Sequence, residues 1–157
     1  MVIIAAPHTD KIDFVFGMAL VYIIGFKTDV LVRRKYFRGL KGLFMRNLEA
    51  VPFEFGNQND RSDILEKFAS RKHYSCVFAN RNLSDNAAVF HEDFYDVAIQ
   101  VGVPIVMVAL DYRRKQVKVH HDFVPSGDRN RDIRFVRNWF TYFHGCDENI
   151  TVSRVDY

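Results

Sequence analysis

Apolar and polar positions change period at short intervals along this chain. Residues 1–6 form a brief apolar run that reads as a buried strand, and Pro7 is expected to end it. Residues 14–26 are an uncharged run of 13. That is shorter than the roughly 20 residues needed to cross a bilayer, so a buried or interfacial helix is expected, running over 14–24 and stopped by Gly25. Residues 28–33 read as a strand, 37–47 as a basic amphipathic helix, 50–55 as a strand with Pro52 near its middle, and 56–60 as a turn. Residues 61–70 predict a polar helix with Ile64, Leu65 and Phe68 on one side, followed by a strand over 74–79. An irregular stretch over 80–86 leads to a helix over 94–100. Gly102 breaks that helix before the almost continuous apolar run 103–110, typical of a strand covered on both faces. A basic turn, a strand over 117–120 and a helix over 131–144 close the pattern. Alternation of this kind predicts an α/β protein, one domain over residues 1–146 with a mostly parallel mixed sheet flanked by helices, and a polar tail over 147–157.

Composition agrees with one ordinary domain. The 157 residues are 48% hydrophobic and 26% charged, a globular balance. Aromatic residues reach 15%, with 15 phenylalanines, which points either to an apolar cleft or to a phenylalanine-rich core. A formal charge of +3 is too weak to imply nucleic acid by itself, and no groove-reading or base-stacking motif accompanies the basic stretches. The two cysteines, Cys76 and Cys146, have neither disulfide-framework nor metal-ligand spacing, so a reducing, cytoplasmic compartment is expected. His120-His121-Asp122 is set aside as a metal site because neighbours on a strand point to opposite faces.

The stretch most suggestive of chemistry is Pro7-His8-Thr9-Asp10-Lys11-Ile12-Asp13-Phe14. His8 and Asp13 are five apart, which is wrong for one helical face, where residues meet at three and four. They meet only if His8 sits in the turn leaving the first strand and Asp13 lies about a turn inside the following helix. A carboxylate beside an imidazole fixes its tautomer and stabilises the imidazolium, so His8 would take a proton from a hydroxyl or water. The alternative is plainer: Thr9 or Asp10 caps a helix and His8 is a polar loop residue.

An ordered series of segments over residues 3–143 resembles the glycerolipid acyltransferases of the lysophosphatidate acyltransferase type. Ala6-Pro7-His8-Thr9 through Asp13-Phe14 is similar to that family's His-x4-Asp block, and Arg34-Lys35-Tyr36-Phe37-Arg38-Gly39 to its Lys-x-Leu/Phe-Phe-Arg-Gly segment. Ala50-Val51-Pro52-Phe53-Glu54 resembles its Gly-Gly-Ile-Pro-Val-Asp strand. Phe94-Tyr95-Asp96-Val97-Ala98, then Val103-Pro104-Ile105-Val106, resembles its last helix and strand, and Val124-Pro125-Ser126-Gly127-Asp128 its ending. The resemblance implies acyl transfer from an acyl-CoA or acyl-carrier-protein thioester to an alcohol or lysolipid acceptor, without metal or bound cofactor. His8 would be the general base and Asp13 its orienter. Lys35, Arg38, Phe55, Arg81, Asn82 and Ser84 fall at the family's substrate-binding positions.

Departures from the family pattern concern anion binding. Its Glu-Gly-Thr-Arg block is replaced by Arg81-Asn82-Leu83-Ser84, and the arginine that follows its Pro-Val-Asp strand by Phe55. Neither phenylalanine nor serine supplies the bidentate fork with which arginine holds phosphate. A phosphorylated acceptor is therefore expected to be disfavoured against a neutral alcohol, unless Arg81 or Arg34-Lys35 substitutes. The chain also begins at the His-bearing strand, without the helices that often precede it in the family. Peripheral membrane contact would then fall to the basic and apolar positions between Arg33 and Leu48, which equally suit an ordinary amphipathic helix. Two functions follow: a divergent O-acyltransferase, or a catalytically degenerate homologue that binds acyl chains, lipid or a protein partner.

Overall fold

The computed structural model describes residues 1–8, 28–48, 50–81 and 91–143. Within them the chain forms six strands, β1 Val2–His8, β2 Asp29–Arg33, β3 Val51–Phe53, β4 Cys76–Arg81, β5 Ile105–Asp111 and β6 Gln116–Phe123. A 3-10 turn, Arg34–Phe37, and four helices accompany them: α1 Gly39–Asn47, α2 Gln58–Ser70, α3 Asp93–Val101 and α4 Arg129–Phe140. The strands make one sheet in the order β3-β2-β4-β1-β5-β6. All neighbours pair in parallel except β6, which runs antiparallel to β5. The α/β class and the largely parallel sheet read from the alternation of elements are those observed.

Both faces of the inner strands are buried, and strand alternation divides their side chains between two cores. Val2, Ile4 and Ala6 of β1 join Leu31, Phe53, Cys76, Phe78, Ile105, Met107 and Ala109 on one face. Ile64 of α2, Phe94, Tyr95, Val97 and Ala98 of α3, and Ile133, Val136 and Phe140 of α4 cover that face. Ile3, Val30, Val32 and Val77 point to the other face, with Tyr36 and Phe37 of the 3-10 turn and Met45 of α1 packed on them. Alternation of this kind is the two-face burial expected of parallel strands. Phe53, Phe78, Phe94 and Phe140 are wholly buried, so much of the phenylalanine excess is core.

Several boundaries differ from the sequence expectation for identifiable reasons. Strand β1 continues through Pro7 to His8, because the parallel ladder to β4 absorbs the missing N–H as a register irregularity between Ala5 and His8. His8 is thus the last residue of the strand and not a turn residue. The segment read as a turn over 56–60 already contains helix: the Asn57 side chain accepts from the N–H groups of Asn59 and Asp60 and starts α2 at Gln58. The helix expected over 37–47 divides at Arg38 into the 3-10 turn and α1. Gly42 allows that join, since a Cβ there would stand 2.0 Å from the Phe37 carbonyl oxygen. Pro52 is accommodated because β3 is the edge strand. Gly102, at φ +71°, closes α3 in the left-handed conformation as expected. The helix expected over 14–24 and the tail over 147–157 lie outside the described residues. Among the described residues, no helix is long and apolar enough to cross a membrane.

The loop entering α4 is pinned by a buried carboxylate. Asp132, 3% exposed, accepts from the Tyr95 hydroxyl at 2.9 Å, the Ser126 N–H at 2.7 Å and the Ser126 hydroxyl at 2.8 Å. Burial and the bond to Asp132 push the Tyr95 phenol up to about 12. Asp132→Ala leaves those donors without their acceptor and should cost about 3 kcal/mol of stability. Urea unfolding should show a lower midpoint with an unchanged slope; a midpoint equal to wild type would refute this account of the loop.

Candidate functional site

The strand order creates a point where the chain departs in opposite directions. From β1 it travels toward β2, and from β4 it travels toward β5, although β1 and β4 are neighbours. The crossover from β2 to β3 packs the 3-10 turn and α1 on one face, while α2 and α3 carry the returns to β4 and β5 on the other. In open α/β sheets such a switch point opens a crevice beyond the carboxyl ends of the strands, where ligands bind. His8 closes β1 there, and its Cα partner across the ladder is Arg81, the last residue of β4. Two residues singled out from sequence are thereby neighbours in space. Asp13, Asn82 and Ser84 lie outside the described residues, as do the side chains of His8 and Arg81.

Phe55 belongs to the same end of the sheet, held by a tightly bonded loop. Beyond β3, the Glu54 N–H donates to Asp60 Oδ2 at 2.7 Å, and the Gly56 N–H donates to both carboxylate oxygens of Asp93 at 3.1 Å. Arg34 grips Asp60 through two N–H groups, one of them Nε–H to Oδ2 at 3.1 Å. Arg61 reaches Asp93 at 3.0 Å and Asp96 at 2.9 Å, and Arg129 pairs with Glu92 and Asp96. The bond from Arg34 and the Glu54 N–H together hold the Asp60 carboxyl below the usual carboxylate range. Between these two clamps the Phe55 ring meets Phe53 edge-on at 5.3 Å and stacks on His91 at 4.4 Å.

Arg33, the last residue of β2, completes this cluster and was not singled out from sequence as a site residue. Strand alternation turns it to the same face as Leu31. Its guanidinium lies 5.5 Å from the Phe55 ring centroid, and its terminal NH2 is 2.8 Å from His91 Nε2. Arginine has no acceptor, so His91 accepts through a bare Nε2 and carries its proton on Nδ1. Burial first, and the Arg33 charge second, lower the pKa of His91 and keep its ring neutral. A strand-ending arginine, one position beyond the alternating Val30-Leu31-Val32, was the available signal; His91 had none, since no local motif relates it to β2.

Other residues anticipated from sequence are spread along this end. Lys35 and Arg38 are exposed on and just after the 3-10 turn, with the Lys35 ammonium 5.4 Å from the Tyr36 ring. Arg34 is committed to Asp60 and is not available to replace a missing phosphate ligand. Asp111, buried at the carboxyl end of β5, accepts from the N–H and side chain of Arg114. Among the described residues, no group of three or more His, Cys, Asp or Glu side chains is arranged to hold a metal ion.

The depressed carboxyl of Asp60 carries a pH signature. The unfolded chain, where an aspartate titrates near ~3.9, binds that proton more readily than the folded one. The resulting stabilisation is present above about pH 4 and is lost as pH falls through the folded value. The fall in urea midpoint between about pH 5 and about pH 3 should therefore be smaller in Asp60→Asn than in wild type, and equal falls would rule out a strong Arg34–Asp60 clamp. Comparison of the chain with protein-family models, with curated proteins and with solved structures finds no match in any of the three.

Proposed function

We propose that the chain is an O-acyltransferase-like protein, transferring an acyl group from an acyl-CoA or acyl-carrier-protein thioester to an acceptor hydroxyl on a lysophospholipid-type or other alcohol. The observation that carries this reading is the position of His8: it ends a central strand at the sheet's switch point, in register with Arg81. A general base is useful only where a substrate can reach it, and that end of a parallel sheet is where ligands are admitted.

In the proposed reaction His8 takes the proton of the acceptor hydroxyl while the oxygen adds to the thioester carbonyl carbon. Collapse of the tetrahedral intermediate breaks the C–S bond. The proton held by the imidazole passes to the departing sulfur, giving an ester and a free thiol. Asp13 would hold the imidazole tautomer and stabilise its charged form, as a carboxylate partner does in other histidine-based hydroxyl activation. An alcohol is a poor nucleophile at neutral pH until a base takes its proton in the transition state.

A second reading, a degenerate homologue that binds acyl chains, lipid or a protein partner, draws support from Phe55. Its ring occupies the position where the resembled family carries an anion-binding arginine, and it is packed against Phe53 and His91.

Free-thiol release from acyl-CoA across a panel of alcohols, lysophosphatidate included, separates the two. Acyl transfer predicts acceptor-dependent thiol release that falls at least ~100-fold in His8→Ala, the scale of a lost general base, and strongly in Asp13→Asn. Acyl-CoA binding without thiol release from any acceptor, unaffected by His8→Ala, would select the binding protein instead.

A further inference from the structure

We propose that β6 is a self-association edge, pairing antiparallel about a two-fold axis with β6 of a second copy of this chain. The inference stands apart from acyl transfer and does not depend on it.

The two edges of the sheet are built differently. At one, β3 has three residues, one of them Pro52, and so short a strand with a missing N–H offers little to pair with. At the other, β6 runs for eight residues without a proline, and among the described residues it pairs with β5 alone. Gln116 to His120 keep an unbroken register with Asp111 to Met107, and the irregularity where Asp122 takes φ +66° falls beyond them. An edge of that length presents a row of backbone N–H and C=O groups, which is a template for another strand. Val117 and Val119, 44% and 43% exposed, share one face, opposite Leu110 and Val108 of β5. Side chains of this branched type gain from cross-strand contact, and a second β6 brings such a pair alongside.

Charge selects the occupant and its direction. Lys115 and Lys118 are exposed toward the amino end of the strand and Asp122 toward its carboxyl end. Neither Lys118 nor Asp122 has an ion-pair partner among the described residues. Parallel pairing in register, or antiparallel pairing centred on Lys118, sets that lysine against its own copy and is repelled. Antiparallel pairing with the axis near His120 sets Lys118 of each copy against Asp122 of the other. One surface then supplies both halves of the match, as an isologous contact requires. The contact joins two six-strand sheets into one. Because β5 runs in opposite directions in the two copies, the strand ends that carry His8 lie at opposite ends of the joined sheet, and each copy keeps its own site.

Sedimentation velocity on the full chain, over a rising concentration series, tests the proposal. A dimer should form and should weaken as salt screens its ion pairs. Amide hydrogen exchange should slow with concentration over Gln116–Phe123 and not over Val51–Phe53. Lys118→Glu and Asp122→Lys should each raise the dimer dissociation constant about tenfold or more. An equimolar mixture of the two variants should associate as the wild type does, because reversed charges then meet reversed charges and unaltered ones meet unaltered ones. That recovery also shows both variants to be folded. A monomer at every concentration, a dimer indifferent to both reversals, or a mixture no stronger than its components would overturn the proposal. So would protection of every β6 amide in the dilute monomer, which would mean that another segment of the same chain covers the edge.

Discussion

Strand β1 must be hydrogen-bonded along both edges and buried on both faces, and much of the architecture follows from that requirement. Its neighbours come from far along the chain, with Val2 opposite Cys76 on one side and Ile105 on the other. Parallel neighbours cannot be supplied by tight hairpins, so each needs a crossover, and the crossovers bring the helices that cover the two faces. Inserting β4 between β1 and β2 makes the chain leave adjacent strands in opposite directions. The same strand order sets His8, at the carboxyl end of β1, beside Arg81 at the end of β4.

Buried carboxylates fix the loops at and near that end. Asp60, Asp93 and Asp132 are each at most 4% exposed and each accepts from a backbone N–H of a loop. Burying a charge is tolerable only with such partners. In return the carboxylates convert two connecting segments into defined structure: the 54–56 loop against α2 and α3, and the 126–128 turn against α4. Phe55 is presented by this arrangement, and its ring supports both Arg33 and His91. Charge balance then differs between neighbours where β2 passes into the 3-10 turn, since Arg34 pairs with Asp60 while Arg33 meets the His91 ring.

Legibility from sequence followed the range of the interaction. Residues 28–33 read correctly as a strand, the continuous apolar run over 103–110 announced a strand buried on both faces, and Gly102 announced the end of α3. Ile64, Leu65 and Phe68 were rightly placed together, because a helical period of about 3.6 fixes a face without knowledge of its partner. Boundaries were lost where a distant group decided them. Pro7 looked like a stop, yet the ladder to β4 carried β1 one residue further. Residues 56–60 looked like a turn until Asn57 capped α2.

What the sequence determined by itself was the class of fold, the two-faced burial of the strand read over 103–110, and some of the polar residues later found at the carboxyl end of the sheet, His8 and Arg81 among them but neither Arg33 nor His91. Those depend on local period, turn chemistry and side-chain type, all of which are written within a few residues. Which of those residues meet was decided only by tertiary structure. His8 is a neighbour of Arg81 because β4 inserts beside β1, and Arg33 meets Phe55 and His91 because β2, the loop after β3 and the segment before α3 converge at one end of the sheet. No local pattern encodes that convergence, since strand order is set by the packing of helices against both faces of the whole sheet.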